Sequence, residues 1–216
     1  MRRKPRKAAT RVVALILAAG ESRKLKQPHA LTRFRGKAAV ERAIETCGGA
    51  GFAAPVVVLG CEAKRVPRAI AARAVINRGW RAGMMSSIRA GLRRVPRNAA
   101  VLLYPVDYPL LTPAILRRLM RAFRIRARRQ AIVSPVGRSR AGHPVLFAPE
   151  MRRELMRART ARSVVEKNPR RVKKVRVSSA AIWKDLEMLA AAPKRTGGGT
   201  RKSPGRKQAA KRAVVR

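Results

Sequence analysis

Residues 12–17 (VVALIL) form an unbroken apolar run rich in β-branched side chains, and the run empties into Ala18-Ala19-Gly20. A buried parallel strand that opens into a glycine loop has this pattern. Ligands of open α/β folds sit where the strand carboxyl ends open out, so this loop is where a phosphate would dock. Leu17, Ala18, Ala19 and Gly20 are small or apolar enough for backbone N–H groups to approach an anion closely. The loop continues through Glu21, Ser22, Arg23, Lys24, Leu25, Lys26, Gln27, Pro28 and His29, whose basic members can neutralise phosphate charge. The spacing is neither GxGxxG nor GxxxxGK[ST], so by itself it fits a solvated basic turn as well as a phosphate cradle.

Asp107 is the second candidate. The chain has two aspartates, Asp107 and Asp185. Asp107 follows the apolar Val101-Leu102-Leu103 and lies between Pro105 and Pro109. That places it at the carboxyl end of a central strand, on the same edge as the glycine loop. A carboxylate there can hold Mg²⁺ against phosphate oxygens; a loop aspartate capping a neighbouring turn is the plainer alternative. In the third segment, Asn77 to Ser87, Gly83, Ser86 and Ser87 open a helix. This suits an anion or base contact at a helix N-terminus, or an ordinary cap. The fourth candidate is His143, just before a short strand, where a histidine serves structure as readily as chemistry. Cys47 and Cys61 show no metal or redox spacing and read as small core hydrophobes.

The elements that must position these residues alternate. After strand 12–17 the pattern predicts a helix over 37–47, stopped by Gly48-Gly49. Strand 56–59, helix 62–73 and strand 74–76 follow, then helix 86–94 entered from Gly83. Strand 99–103 leads to Asp107. Thr112 and Pro113 cap and open a helix to about 127. Strand 132–133 and a short antiparallel strand 144–147 come next. Helices 149–157 and 160–167, strand 171–177 and helix 184–191 complete the run. Such alternation implies an α/β fold, a mostly parallel sheet with helices on both faces.

The chain carries 53 Lys+Arg against 10 Asp+Glu, a formal +43. Residues 1–11 and 194–216 are basic, low in hydrophobics and free of acids, and read as disordered tails around a domain at 12–191. Without the tails, 38 basic residues still face 10 acidic ones. A charge this large attracts polyanions in a salt-sensitive way, so non-specific nucleic-acid binding through the tails is expected. Aromatics are 4% of the chain, too few for a base-stacking platform along a single strand. No apolar run approaches the roughly 20 residues of a membrane span, and no apolar signal-peptide core follows the basic start. A cytoplasmic protein without membrane contact is the expectation.

Taken together and in order, these segments resemble the MobA-like nucleotidyltransferases, nearest the molybdenum cofactor cytidylyltransferase branch. The resemblance covers about residues 12–190. It rests on Leu17-Ala-Ala-Gly20 with Ser22, on Gln27-Pro28, on Asn77, Trp80, Gly83-Met84 and Ser86-Ser87, on Val106-Asp107-Tyr108-Pro109-Leu110 with Thr112, and on Gly142-His143-Pro144-Val-Leu-Phe147. It implies a three-layer α/β/α sandwich of the nucleotide-diphospho-sugar transferase type that binds a nucleoside triphosphate, CTP or GTP, with Mg²⁺. A phosphate of a second substrate, a molybdenum-bearing pterin in that branch, would attack the α-phosphate and release pyrophosphate. Asp107 would hold the metal, and Lys24 and His29 would stand at catalytic positions. Leu17 to Gly20, Ser22, Arg23, Gly83, Ser86 and Ser87 would bind the nucleotide, and His143 would shape the second pocket.

The chain also departs from that family's pattern. Where the family loop has Arg, Gly and Lys, this chain has Lys24, Lys26 and His29. Lys24 loses a bidentate fork, and a positive φ at Lys26 would be strained. His29 removes a fixed charge, for which Arg23 or Lys26 could substitute. Ala181 and Trp183 fall where the family carries aspartates of a second metal-binding segment, while Asp185 matches a later acidic position. The departures open an alternative, a catalytically degenerate member that binds nucleotide or nucleic acid without turnover.

Overall fold

The computed structural model describes residues 10–191 apart from 23, 72 and 139. The tail readings for 1–9 and 192–216, and the nucleotide-binding reading of Arg23, lie outside the described residues.

In chain order, β1 (Val12–Ala18) leads into two short ribbons, β2 (Glu21–Ser22) with β3 (Gln27–Pro28) and β4 (Arg33–Phe34) with β5 (Lys37–Ala38). Then come α1 (Ala39–Gly49), β6 (Val56–Leu59), α2 (Arg68–Ala71), β7 (Val75–Ile76), α3 (Met84–Leu92), β8 (Ala100–Pro105) and α4 (Pro113–Arg124). The chain ends in β9 (Ile132–Gly137), β10 (Arg140–Ala141), β11 (Val145–Phe147), α5 (Arg152–Arg157), α6 (Ala161–Glu166), β12 (Val172–Arg176) and α7 (Leu186–Ala191).

The central sheet runs β10-β9-β11-β8-β1-β6-β7, with β12 paired to β9. β1 is parallel to β6 and β8, while β11 runs antiparallel between β8 and β9. Residues 13–17 are all buried because both faces of β1 are covered. Leu15 lies under Gly91 of α3, together with Val58. On the opposite face Ile16 pairs in register with Tyr104, which sits beside Arg42, Thr46 and Cys47 of α1. Helix α4 packs beside α1, and α5 beside α3, so helices cover both sides of the sheet in a three-layer α/β/α sandwich.

Four local expectations need correction. Helix α1 runs through Gly48 and Gly49 instead of stopping before them. The stop is Gly51, whose φ of +92° lets Phe52 N–H reach the Cys47 carbonyl and Gly51 N–H reach that of Gly48. This is a Schellman closure, and it needs the left-handed residue after the cap. The helix expected over 62–73 is instead a 3₁₀ turn at Ala63–Arg65 and the short α2. Pro67 between them has no N–H to continue a helical ladder. Strands β8 and β9 reach Pro105 and Gly137, beyond the expected 103 and 133, because ladder pairing carries them on past their apolar cores.

Candidate nucleotide site

β1 and β8 end side by side. Leu17 is in register with Pro105, and Val106 N–H donates to the Leu17 carbonyl at 3.1 Å. The chains then diverge, and a cleft of about 470 Å³ opens between them, within the range of small-molecule sites. Its walls include Leu17, Ala19, Gly20 and His29 from the first loop, Gly83, Met84 and Ser87 from the start of α3, and Asp107. The turn's carbonyls are engaged by the fold, that of Ala19 by Cys61 N–H at 2.8 Å and that of Gly20 by His29 N–H at 3.0 Å. What the turn can offer an anion is therefore its backbone N–H side.

Helix α3 aims its N-terminus at the same cleft. Gly83 stands before it at φ +89° and supplies no side chain to block the first turn. The unpaired first-turn N–H groups and the helix dipole favour negative charge there. Asn77 builds this corner: its Nδ2 donates to Ser86 Oγ at 2.8 Å and Ser87 Oγ at 3.0 Å, and its Oδ1 accepts from Gly79 N–H at 3.1 Å. Ser86 donates on to the Gly83 carbonyl at 2.7 Å, so it shapes the loop, while Ser87 lines the cleft.

Asp107 sits partly buried at the cleft floor. Burial pushes its carboxyl above the usual range, the charge of His29 opposes this, and the carboxylates of Asp185 and Glu187 push it further up. A desolvated carboxylate with two more acids nearby suits a bound cation. Among the described residues no group of three or more His, Cys, Asp or Glu could hold a metal by itself. Mg²⁺ is commonly held by one or two carboxylates together with substrate phosphates. Asp107 fits that kind of ion, brought in with a triphosphate. Ala181, at one of the positions where the resemblance led us to expect an aspartate, is buried and offers no ligand.

Other residues singled out from the sequence lie elsewhere. Lys24 is 79% exposed and pairs with Glu187 at 3.4 Å, away from the cleft lining. Ser22 is buried and donates to the same Glu187 at 2.6 Å. Both therefore clamp α7 onto the first loop. Ala18 is buried within β1. Lys26 is exposed, with φ +49°, so the left-handed conformation anticipated for this position is present. It is absent from the cleft lining, as a substitute for the missing lysine would not be. Among the described residues, the Lys or Arg that lines the cleft is Arg81, which stacks over Trp80 at 4.6 Å from the ring centroid. Neither was among the residues assigned to the site, although the Trp-Arg pair beside Gly79 and Gly83 was a usable signal.

A second cleft, of about 410 Å³, adjoins the first and shares Leu17, Met84 and Pro105 with it. His143 lines it, with its ring centroid 4.8 Å from that of Tyr108. Burial lowers the His143 pKa to about 4, and its buried Nδ1 lacks a hydrogen-bond partner.

A glycine turn and a helix N-terminus around one carboxylate, at the carboxyl edge of a mostly parallel sheet, define a nucleotide-handling α/β domain. The chain belongs to the MobA-like NTP transferase domain family, whose description matches residues 14–175. It is 33% identical over 147 residues to nicotine blue oxidoreductase of Paenarthrobacter nicotinovorans, covering 63% of this chain and 70% of that protein. The crystal structure of Rv0371c from Mycobacterium tuberculosis H37Rv superposes with a TM-score of 0.67 at 25% identity, over 80% of this chain and 91% of that one. A manganese complex of Rv0371c superposes at 0.64 with 24% identity, over 85% of this chain and all of that one.

Proposed function

We propose that the protein is a Mg²⁺-dependent nucleotidyltransferase. It moves the nucleoside monophosphate of CTP, or failing that GTP, to a phosphorylated small molecule such as a molybdenum-bearing pterin, with release of pyrophosphate. The observation that carries this reading is the convergence of the Ala19-Gly20 turn, the α3 N-terminus and Asp107 on one cleft. An oxygen of the acceptor phosphate forms a new bond to the α-phosphorus, the bond from that phosphorus to the pyrophosphate oxygen breaks, and pyrophosphate leaves. Such a step needs positioning and charge neutralisation more than covalent help.

Divalent metal bound with the triphosphate supplies neutralisation of the charge that develops on the phosphate oxygens. Asp107 would hold that ion, and the Ala19-Gly20 turn with the start of α3 would orient the phosphates. Arg81 adds a permanent positive charge at the cleft wall. The manganese bound by a structural neighbour supports a divalent ion in this fold. A cytoplasmic location goes with a nucleoside triphosphate substrate.

The test is pyrophosphate release from each NTP with Mg²⁺, with and without molybdopterin, in wild type and Asp107→Ala. Metal-dependent release from CTP or GTP, lost in the variant, supports the reading; no thermal shift with any nucleotide removes it. A second reading, nucleotide binding without nucleotidyl turnover, is favoured by the buried Ala181 and by Lys24 being tied to Glu187. A relative named as an oxidoreductase agrees with altered chemistry on this scaffold. Stabilisation by nucleotide without pyrophosphate would select it. The net +43 supports a separate, sequence-insensitive attraction to nucleic acid. Retention on DNA at 0.15 M salt no greater than that of a neutral protein would end that idea.

A further inference from the structure

Between Asp107 and Glu150 the chain holds nine arginines, no lysine and no acid. Four of them, Arg117, Arg118, Arg121 and Arg124, stand on α4, and all four are exposed. Arg117, Arg121 and Arg124 follow one another at i, i+4 and i+7, so they form one ridge, with Arg118 beside it. The opposite side of the helix carries the buried Ile115, Leu119 and Ala122, packed toward β9 and β11. Like charges at this spacing weaken a helix. The helix dipole accounts for Arg121 and Arg124 in the last turn, but not for Arg117 and Arg118 in the middle. The ion pairs formed among the described residues all lie elsewhere.

The turn after α4 adds to this charge and is firmly built. Arg126 stacks over Phe123, 3.5 Å from the ring centroid, and donates to the Phe123 and Gln130 carbonyls at 2.7 and 2.8 Å. Ala127 N–H donates to Gln130 Oε1 at 3.1 Å. The turn so held leaves Arg128 and Arg129 exposed just past the helix end. No residue of α4 or of this turn lines either cleft, so the face does not serve the nucleotide.

We propose that the arginine face of α4 binds the phosphodiester backbone of double-stranded nucleic acid. The proposal rests on the attraction drawn above from the net charge, and gives it a site on the folded domain. Each guanidinium fork matches a pair of phosphate oxygens. From Arg117 to Arg124 the ridge covers about 10 Å at 1.5 Å per residue, enough to meet several phosphates of a duplex that carries a charge every ~1.7 Å of its axis. Among the described residues this face exposes no aromatic ring, so it offers no platform for the stacked bases of a single strand. Apart from Ile125, 71% exposed, it shows no large apolar residue of the kind an interfacial helix sinks into a membrane.

The test compares two variants of the full chain that lose equal charge. Arg118→Gln, Arg121→Gln and Arg124→Gln together remove the α4 face, and Gln keeps the helix. Lys64→Gln, Arg65→Gln and Arg68→Gln together remove three exposed charges between β6 and β7, at the other end of the sheet from β9. Fluorescence anisotropy follows binding to two short DNA duplexes of unrelated sequence, over about 0.05–0.2 M salt. Wild type binds both duplexes equally. The α4 variant binds both about tenfold or more weakly, and its slope of log affinity against log salt flattens by about 2–3, one for each lost phosphate contact. The variant between β6 and β7 stays within about threefold of wild type, as for charge remote from the contact.

Equal losses in the two variants overturn the proposal and leave only a diffuse attraction. Unchanged binding in the α4 variant overturns it too, and assigns the contact to other basic segments. Wild-type binding no greater than that of a neutral protein removes the general attraction together with the proposal. Tighter binding to vesicles of anionic lipid than to either duplex, lost in the α4 variant, gives the face to a membrane surface and overturns the nucleic-acid assignment. A Tm of the α4 variant at or above that of wild type shows that the loss is one of contact and not of folding.

Discussion

The Val106 N–H donates to the Leu17 carbonyl at 3.1 Å, one step beyond the last register pair of β1 and β8. This bond is why a carboxylate 87 positions after Gly20 stands beside the glycine turn. It holds the two strand ends together until both chains have cleared the sheet, and Asp107 is the next residue. The site is thus a product of parallel pairing between strands that are distant in sequence.

Asp107→Asn should abolish pyrophosphate release by 100-fold or more while the protein still folds. Among the described residues no side chain hydrogen-bonds to the Asp107 carboxylate, so the ligand-free Tm should stay within about 2 °C of wild type. Thermal melts with and without CTP and Mg²⁺ check both halves: the nucleotide-induced rise should vanish and the baseline should hold.

Asn77→Ala removes two donated bonds to Ser86 and Ser87 and one accepted from Gly79. Ser87 is buried and Ser86 partly so, and losing these bonds should cost about 2 kcal/mol, or roughly 4–8 °C in Tm. The corner at the start of α3 should loosen as well, so nucleotide affinity should fall further than in a variant of equal stability elsewhere. Paired melting and nucleotide-titration curves would show it; affinity equal to wild type would contradict the role given to Asn77.

Lys26→Gly should stabilise the fold. The lysine sits at φ +49°, a conformation that costs a side-chain-bearing residue about 1–2 kcal/mol. The extra chain entropy of glycine offsets roughly half of that gain. A rise of about 1–3 °C in Tm is expected, and a fall would mean that the exposed side chain makes a contact worth more than the strain.

His143 should make the protein sensitive to acid. Burial holds its imidazole at about 4, below the ordinary 6.5. Tyr108, Arg140 and Asp185 also line this cleft, but desolvation is the cause of the shift. The fold prefers the neutral ring, so that contribution is complete above pH 6.5 and is lost as pH falls through about 4. Its full size is of the order of 3 kcal/mol. Tm measured from pH 7 to pH 4 should decline less steeply in His143→Gln than in wild type, and parallel curves would refute the assignment.

Much of this arrangement was legible in the chain. The apolar run before Gly20 and the proline-flanked Asp107 each announced a strand end, because burial on both faces leaves an unbroken hydrophobic stretch. The antiparallel strand after His143 was legible for the same reason. Gly51 was missed as the end of α1 because Gly48-Gly49 came first, and only the Phe52-to-Cys47 hydrogen bond shows which glycine takes the left-handed turn. Lys24 was misleading for a different reason. A basic residue in a phosphate-like loop suggests a phosphate ligand, yet its charge is met by Glu187, 163 positions later.

The amino-acid order by itself determined the strand-and-helix alternation, the family, and the strand ends that carry the candidate chemistry. These follow from local hydrophobic runs, glycines and prolines, which act within a few residues of themselves. Tertiary structure decided which charges face the ligand. Arg81 enters the cleft while Lys24 and Lys26 stay outside it, and Trp183 takes its place on Gly137 beside a second opening. The physical reason is that long side chains are directed by neighbours brought together through sheet pairing, and nothing in the local sequence encodes that direction.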